Sequence, residues 1–299
     1  MISVDENFFI TKNGGRLYFE EFGQGDRTVV MPNGVVTAKD FAQLGDEFRV
    51  IAYDPRSRGR SDLWMEDGVL RGDIHTDVED LEEIRQQLGI ERLDLVAHSY
   101  AGWIAILYAA KYPAHAGRVV QIGPMSPVVN RQYPGGLMFD DGTMGRAFEK
   151  MGRLRNEAAG KSQEELCRAN WAEFRTVFVT DPADAGRIDF GRCELENERN
   201  FMRYWLGNLL PSIQKVSFTS EDFTRVKCPA LIIHGTCDRN APYGGGRDWA
   251  ANLPDGRLVT VVGGAHAPWV EGPETVFGAI RSFMTGGWPE QAEIPGKMD

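Results

Sequence analysis

Histidine and cysteine are scarce in this chain, five and four residues among 299. The cysteines (Cys167, Cys193, Cys228, Cys237) are widely spaced and form no C-x-x-C pair, so the sequence offers no dithiol motif. Four free thiols in a reducing cytoplasm are expected, with a Cys167–Cys193 disulfide as the open alternative. Cys237 adjoins Asp238 and is a candidate for thiol modification. Positive charge is also short: 33 Lys and Arg against 43 Asp and Glu give a net charge of −10. That balance argues against a nucleic-acid or anionic-membrane partner. No apolar run is long enough to span a bilayer. The start, Met1-Ile2-Ser3-Val4-Asp5-Glu6, lacks a basic segment followed by an apolar one, so no signal peptide and a cytoplasmic location are expected. Repeats and low-complexity tracts are absent. The oligomeric state is not legible.

What remains is ordinary globular composition, 42% hydrophobic and 25% charged, enough for one large α/β domain with or without an insertion. Asn13-Gly14-Gly15 marks a hairpin turn between Phe8–Thr11 and Leu17–Phe22. Short apolar runs follow at 28–31, 49–53, 93–97, 118–122, 230–233 and 258–262. Most are near-continuous, as strands covered on both faces should be. Amphipathic helices lie between them. One is expected to start at Thr76 with Glu79 as its capping-box partner and to end at Gly89; another runs from Tyr100 to Lys111 before Pro113. The alternation predicts an α/β fold with a mostly parallel sheet flanked by helices. It breaks between about Met125 and Asp222, where the pattern is helical. The expected division is a core of 1–124 and 221–299 with a helical lid over 125–220. The polar tail from Gly286 is expected to fray.

Leu95-Val96-Ala97-His98-Ser99-Tyr100-Ala101-Gly102 joins a strand to a helix with small residues two places either side of Ser99. That arrangement suits a sharp turn which pushes one hydroxyl out of the backbone, beside the free N–H groups of a helix start. A serine hydroxyl needs a base, and the base needs a partner that fixes its tautomer. Of the five histidines, His75 and His115 read as surface. His98 faces away from Ser99 and packs beneath the turn, and His234 ends a strand and satisfies backbone groups. His266, in Gly263-Gly264-Ala265-His266-Ala267-Pro268-Trp269, follows the last strand and can reach the sheet's carboxyl edge. Asp238, in His234-Gly235-Thr236-Cys237-Asp238, also follows a buried strand and is the expected acid, and the strand ending Ile122-Gly123-Pro124-Met125 offers no competing carboxylate. The Tyr100 amide is one expected oxyanion donor. Val35, in Pro32-Asn33-Gly34-Val35-Val36, is the other, with Gly34 allowing the turn. Asn33, Gly34, Trp205 and Trp269 are expected to contact substrate. The Asp54–Asp62 segment reads as a charged network bracing its own loop.

Together these residues resemble the α/β-hydrolase superfamily, most closely its esterase, lactonase and proline-iminopeptidase group. Asn33-Gly34 stands where the family usually has His-Gly, and the iminopeptidases' His-Gly-Gly-Pro-Gly is absent. Serine at the turn separates the chain from the epoxide hydrolases and haloalkane dehalogenases, which carry aspartate there. The resemblance implies acyl transfer on a small, mainly apolar carboxylic ester or lactone, with Ser99 as nucleophile and His266 and Asp238 completing a triad. Such a mechanism needs neither a metal nor an organic cofactor. Three alternatives stay open: an aminopeptidase whose lid glutamates Glu194, Glu196 and Glu198 bind a substrate ammonium, carbon–carbon bond hydrolysis, and a non-catalytic small-molecule receptor on the same fold.

Overall fold

Each apolar run becomes a strand whose successive side chains part to opposite faces of a sheet, as pleating requires. The computed structural model describes residues 7–216 and 218–297, so the segment on which the leader expectation rests lies outside the described residues. Ten strands are present among them: β1 (Phe8–Ile10), β2 (Arg16–Phe22), β3 (Thr28–Pro32), β4 (Arg49–Tyr53), β5 (Met65–Glu66), β6 (Val69–Leu70), β7 (Leu93–His98), β8 (Ala116–Ile122), β9 (Ala230–Gly235) and β10 (Gly256–Val261). β5 and β6 pair only with each other, and the other eight form one sheet in the order β1-β2-β4-β3-β7-β8-β9-β10. β1, β2 and β4 pair antiparallel, and the rest are parallel.

The two faces carry separate cores. Val30, Ile51, Leu95, Val119 and Ile232 bury against one layer, which includes Leu81 and Ile84 of the helix Ile74–Leu88, Trp103 and Tyr108 of Ala101–Lys111, and Trp249. Their neighbours Val29, Val50, Val96, Val120 and Leu231 bury against the other, which includes Phe41 and Phe277, Ile280 and Phe283 of Pro273–Met284. This double cover explains why the strands read as continuous apolar runs.

The order also fixes where a site can form. β3 pairs with β4 on one side and β7 on the other, so the loops leaving β3 and β7 diverge at their carboxyl ends. A crevice opens at such a switch point, and Asn33 and Ser99 each follow one of these two strand ends.

Three local expectations are corrected. The helix predicted from Thr76 starts two residues earlier, because Asp73 is its cap and accepts the amide of His75. The tail does not fray at Gly286. Glu293 exchanges two backbone hydrogen bonds with Leu258 on edge strand β10 (2.8 and 2.9 Å), and the Trp288 ring packs on Phe283 at 4.9 Å. Cys167 and Cys193 are not free thiols: they form a disulfide with Cα atoms 5.8 Å apart, whereas Cys228 and Cys237 are free. That bond lies in the stretch between β8 and β9, which carries only helices among its described residues, among them Thr143–Asn156, Gln163–Phe178 and Glu196–Arg199.

Candidate active site

Ser99 has φ 58°, a left-handed conformation that costs a non-glycine residue energy and marks a constrained turn. Its amide is held by the Ile122 carbonyl at 2.9 Å, and the helix Ala101–Lys111 begins two residues on. The Tyr100 amide therefore stands among the N–H groups that have no acceptor within the helix. Ala97 and Ala101 are fully buried in the core on either side of Ser99.

His266 lies in the loop after β10 and Asp238 in the loop after β9. His266 Nε2 is 3.0 Å from Ser99 Oγ, and its Nδ1 is 2.8 Å from Asp238 Oδ2. Both are buried, His266 to 0% and Asp238 to 1% exposure. Asp238 Oδ1 accepts the amides of Asn240 and Ala241, each at 2.8 Å, and Oδ2 also receives His234 Nε2 at 3.1 Å. Burial opposes the charge of this carboxylate. The attraction of His266 and the hydrogen bonds from His234 and His266 win, holding the carboxyl well below its usual range. Nδ1 is thus the ring nitrogen that donates to the Asp238 carboxylate, and Nε2 is the one that faces Ser99. Gly123 (φ 50°) makes this closeness possible, since a Cβ there would come within 3.2 Å of His266 Nδ1 and 3.3 Å of Asp238 Oδ2.

His98 lies beneath the turn as expected, 2.9 Å from the His266 carbonyl through its Nε2. Burial, then the neighbouring charge of His266, pushes its pKa down to about 3, so it is a neutral brace. His234 does more than the sequence suggested. It bonds the Ala241 carbonyl at 3.0 Å and also touches Asp238, a contact that only the fold could reveal. Asn240 was likewise missed: its Nδ2 is 3.0 Å from His266 Nε2. Its position two residues after Asp238 was the only signal available.

The loop after β3 departs from expectation. The Val35 amide donates to Asp54 Oδ1 at 2.5 Å, so it is not free to face Ser99. The left-handed residue is Asn33 (φ 72°), not Gly34. Glycine at 34 is required instead by close approach, because a Cβ would sit 2.8 Å from the Ala52 backbone. Asn33 and Val36 line the cavity at Ser99, whereas Gly34 and Val35 do not. Trp269 is also displaced from its expected role. Its ring packs against His98 (5.0 Å) and Phe41 (4.9 Å), its N–H donates to Asp40 at 3.0 Å, and it does not line the cavity at Ser99.

The cavity above Ser99 has a volume of about 310 Å³. Its walls are aromatic: Tyr100, Phe148, Trp171, Phe174, Phe178, Phe190, Phe201 and Trp205, with Met125, Met202 and Leu206 among them. The polar lining consists of Asn33, Arg58, His98, Ser99 and Asn240, and no Asp or Glu lines it among the described residues. Glu194 and Glu196 are exposed. Glu198 is buried, but it holds Arg58 through two bonds (2.9 and 3.0 Å) and the Gly59 amide (2.9 Å). Arg58 also donates to the Tyr100 hydroxyl at 2.7 Å. Asn197 donates to the Ser61 carbonyl at 2.8 Å. The charged segment thus braces its own loop and also ties the helical insertion to the core.

Residues 36–273 match the family model described as alpha/beta hydrolase fold. A bifunctional esterase/perhydrolase of Acinetobacter calcoaceticus is 24% identical over 93% of this chain and 99% of its own length. A putative carbamate hydrolase of Caulobacter sp. (strain K31) is 25% identical over 85% and 87%. Among solved structures, an esterase of Exiguobacterium antarcticum superposes with a TM-score of 0.69 at 17% identity, covering 94% of this chain and 99% of its own.

Proposed function

The chain belongs to the alpha/beta-hydrolase family, and from that premise we propose that it is a serine hydrolase cleaving a small, mainly apolar carboxylic ester or lactone. The observation that carries this reading is the hydrogen-bonded series Ser99 Oγ, His266 Nε2, His266 Nδ1, Asp238 Oδ2, at 3.0 and 2.8 Å, opening on an aromatic-walled cavity. Asn33 and Trp205, both on that cavity wall, are the expected side chains we retain as substrate contacts. The helical insertion acts as the lid that supplies most of the apolar wall. An aminopeptidase reading loses its main support, because the three lid glutamates are either exposed or engaged by Arg58.

In the first half of the reaction His266 takes the Ser99 proton as Oγ adds to the carbonyl carbon. The resulting oxyanion develops beside the Tyr100 amide, where a helix start favours negative charge. The carbonyl re-forms as the C–O bond to the leaving group breaks, and the proton on His266 passes to that oxygen. Water then repeats the sequence on the acyl-enzyme. Asp238 stays ionised throughout and stabilises the imidazolium.

The test is a panel of p-nitrophenyl esters of graded acyl length beside proline and other amino-acid arylamides, run on wild type and on the Ser99→Ala and His266→Ala variants. Turnover of the esters without a requirement for a free amine is expected. Each variant should lose at least about 10³-fold in kcat with an unchanged circular dichroism spectrum. Substantial ester turnover by either folded variant refutes the assignment.

A further inference from the structure

Two donors converge on one lone pair in this site. With Nδ1–H committed to Asp238, His266 Nε2 has a single in-plane acceptor position. Ser99 Oγ and Asn240 Nδ2 both approach it, each at 3.0 Å. Asn240 is not a core amide that strayed there. It lines the cavity and is exposed to it, and its own amide is fixed at 2.8 Å by Asp238 Oδ1. One carboxylate therefore sets both the imidazole and the backbone that carries the second donor. Across the cavity the walls are aromatic, and Arg58 is engaged by Glu198 and Tyr100.

The place Asn240 occupies has a chemical meaning that rests on the acyl-transfer reading above. Nε2 is the atom that delivers a proton to the leaving oxygen as the C–O bond breaks, and that takes one from water as the acyl-enzyme is opened. In both steps an oxygen must replace Ser99 Oγ beside Nε2, within reach of the Asn240 N–H. We propose that Asn240 is a positioning residue for that oxygen: its side-chain Nδ2–H donates to the leaving-group oxygen in the first half-reaction and to the attacking water in the second. When substrate arrives, the amide exchanges its contact with Nε2 for one with the oxygen, and the lone pair of Nε2 is left to Ser99.

Leaving-group dependence separates this role from packing. An alkoxide needs its proton delivered on a well-placed oxygen, whereas p-nitrophenolate departs without one. The experiment compares kcat/KM for the ethyl and p-nitrophenyl esters of one acid, the best of the panel, in wild type, Asn240→Leu and Asn240→Ala. Leucine keeps the volume and removes the donor; alanine removes both and tests the inference independently if leucine disturbs the fold. The backbone bond to Asp238 survives in each. The ratio of ethyl to p-nitrophenyl kcat/KM is expected to fall about tenfold, a part of the ~10²–10⁴ that a positioned acid–base group supplies. A burst of p-nitrophenol should also appear as water attack slows. A ratio that falls less than threefold in both variants overturns the inference, whatever the absolute loss. Ser99→Ala is assayed in parallel. If it retains turnover, the acyl-enzyme reading itself fails; if it is inactive while the ratio is unchanged, only the role of Asn240 fails.

Discussion

At Asp54 one buried carboxylate accepts the amides of Val35 (2.5 Å) and Arg60 (3.0 Å), and burial lifts its pKa to about 6. This residue explains why the oxyanion expectation for Val35 did not hold: the Val35 amide serves as a brace between the loops after β3 and β4. A consequence appears in stability. A carboxyl with a higher pKa folded than unfolded binds protons preferentially in the folded state, so its contribution is present at low pH and is lost as pH rises from about 4 through about 6. Asp54→Asn cannot lose that contribution. The Tm of the variant minus that of wild type should therefore increase from pH 4 to pH 7, by a few degrees. Asp40, also lifted to about 6 by burial, acts with the same sign in both proteins and cancels from the difference. A difference that stays flat across this window would contradict the assignment to Asp54. Single residues also mark where sequence reading stops. Asn240 meets His266 across two loops, and His234 meets Asp238 through the way the loop after β9 folds back, which periodicity does not encode.

The helical insertion is held by two kinds of fastening. The Arg58–Glu198 pair and Asn197 anchor it to the loop after β4, and the Cys167–Cys193 disulfide closes a loop of 26 residues within it. Such a crosslink restricts the unfolded chain, with a contribution of about 3–4 kcal/mol for a loop of this size. The Cys167→Ala, Cys193→Ala double variant should therefore melt several degrees lower. Phe190, on the cavity wall, lies inside that loop, so the same variant should raise KM for ester substrates more than it lowers kcat. An unchanged Tm and KM would show that the crosslink constrains neither. Core elements were legible because their apolar runs must be covered on both faces, which fixes strand, length and order of type together. The insertion was legible only as helical. Its shape depends on which aromatic face meets the sheet's rim, and a disulfide between widely spaced cysteines leaves no periodic trace.

Across the whole molecule, the triad expectation rested on chain order and strand ends: Ser99 after β7, Asp238 after β9, His266 after β10. A parallel sheet delivers all three to one edge, because every crossover returns the chain to the same end. That is why residues separated by 167 positions meet at 3.0 Å. Trp269 and Gly34 escape that rule: each lies within three residues of a site residue, His266 or Asn33, yet is itself buried away from the cavity. Ser99 as the activated nucleophile is the core of the proposed function, and covalent trapping reads that role without reference to the substrate. Wild type treated with a fluorophosphonate and digested for mass spectrometry should carry one adduct, on Ser99, formed much more slowly in the His266→Ala variant. Folded protein that remains unlabelled, or that is labelled at another residue, would contradict it.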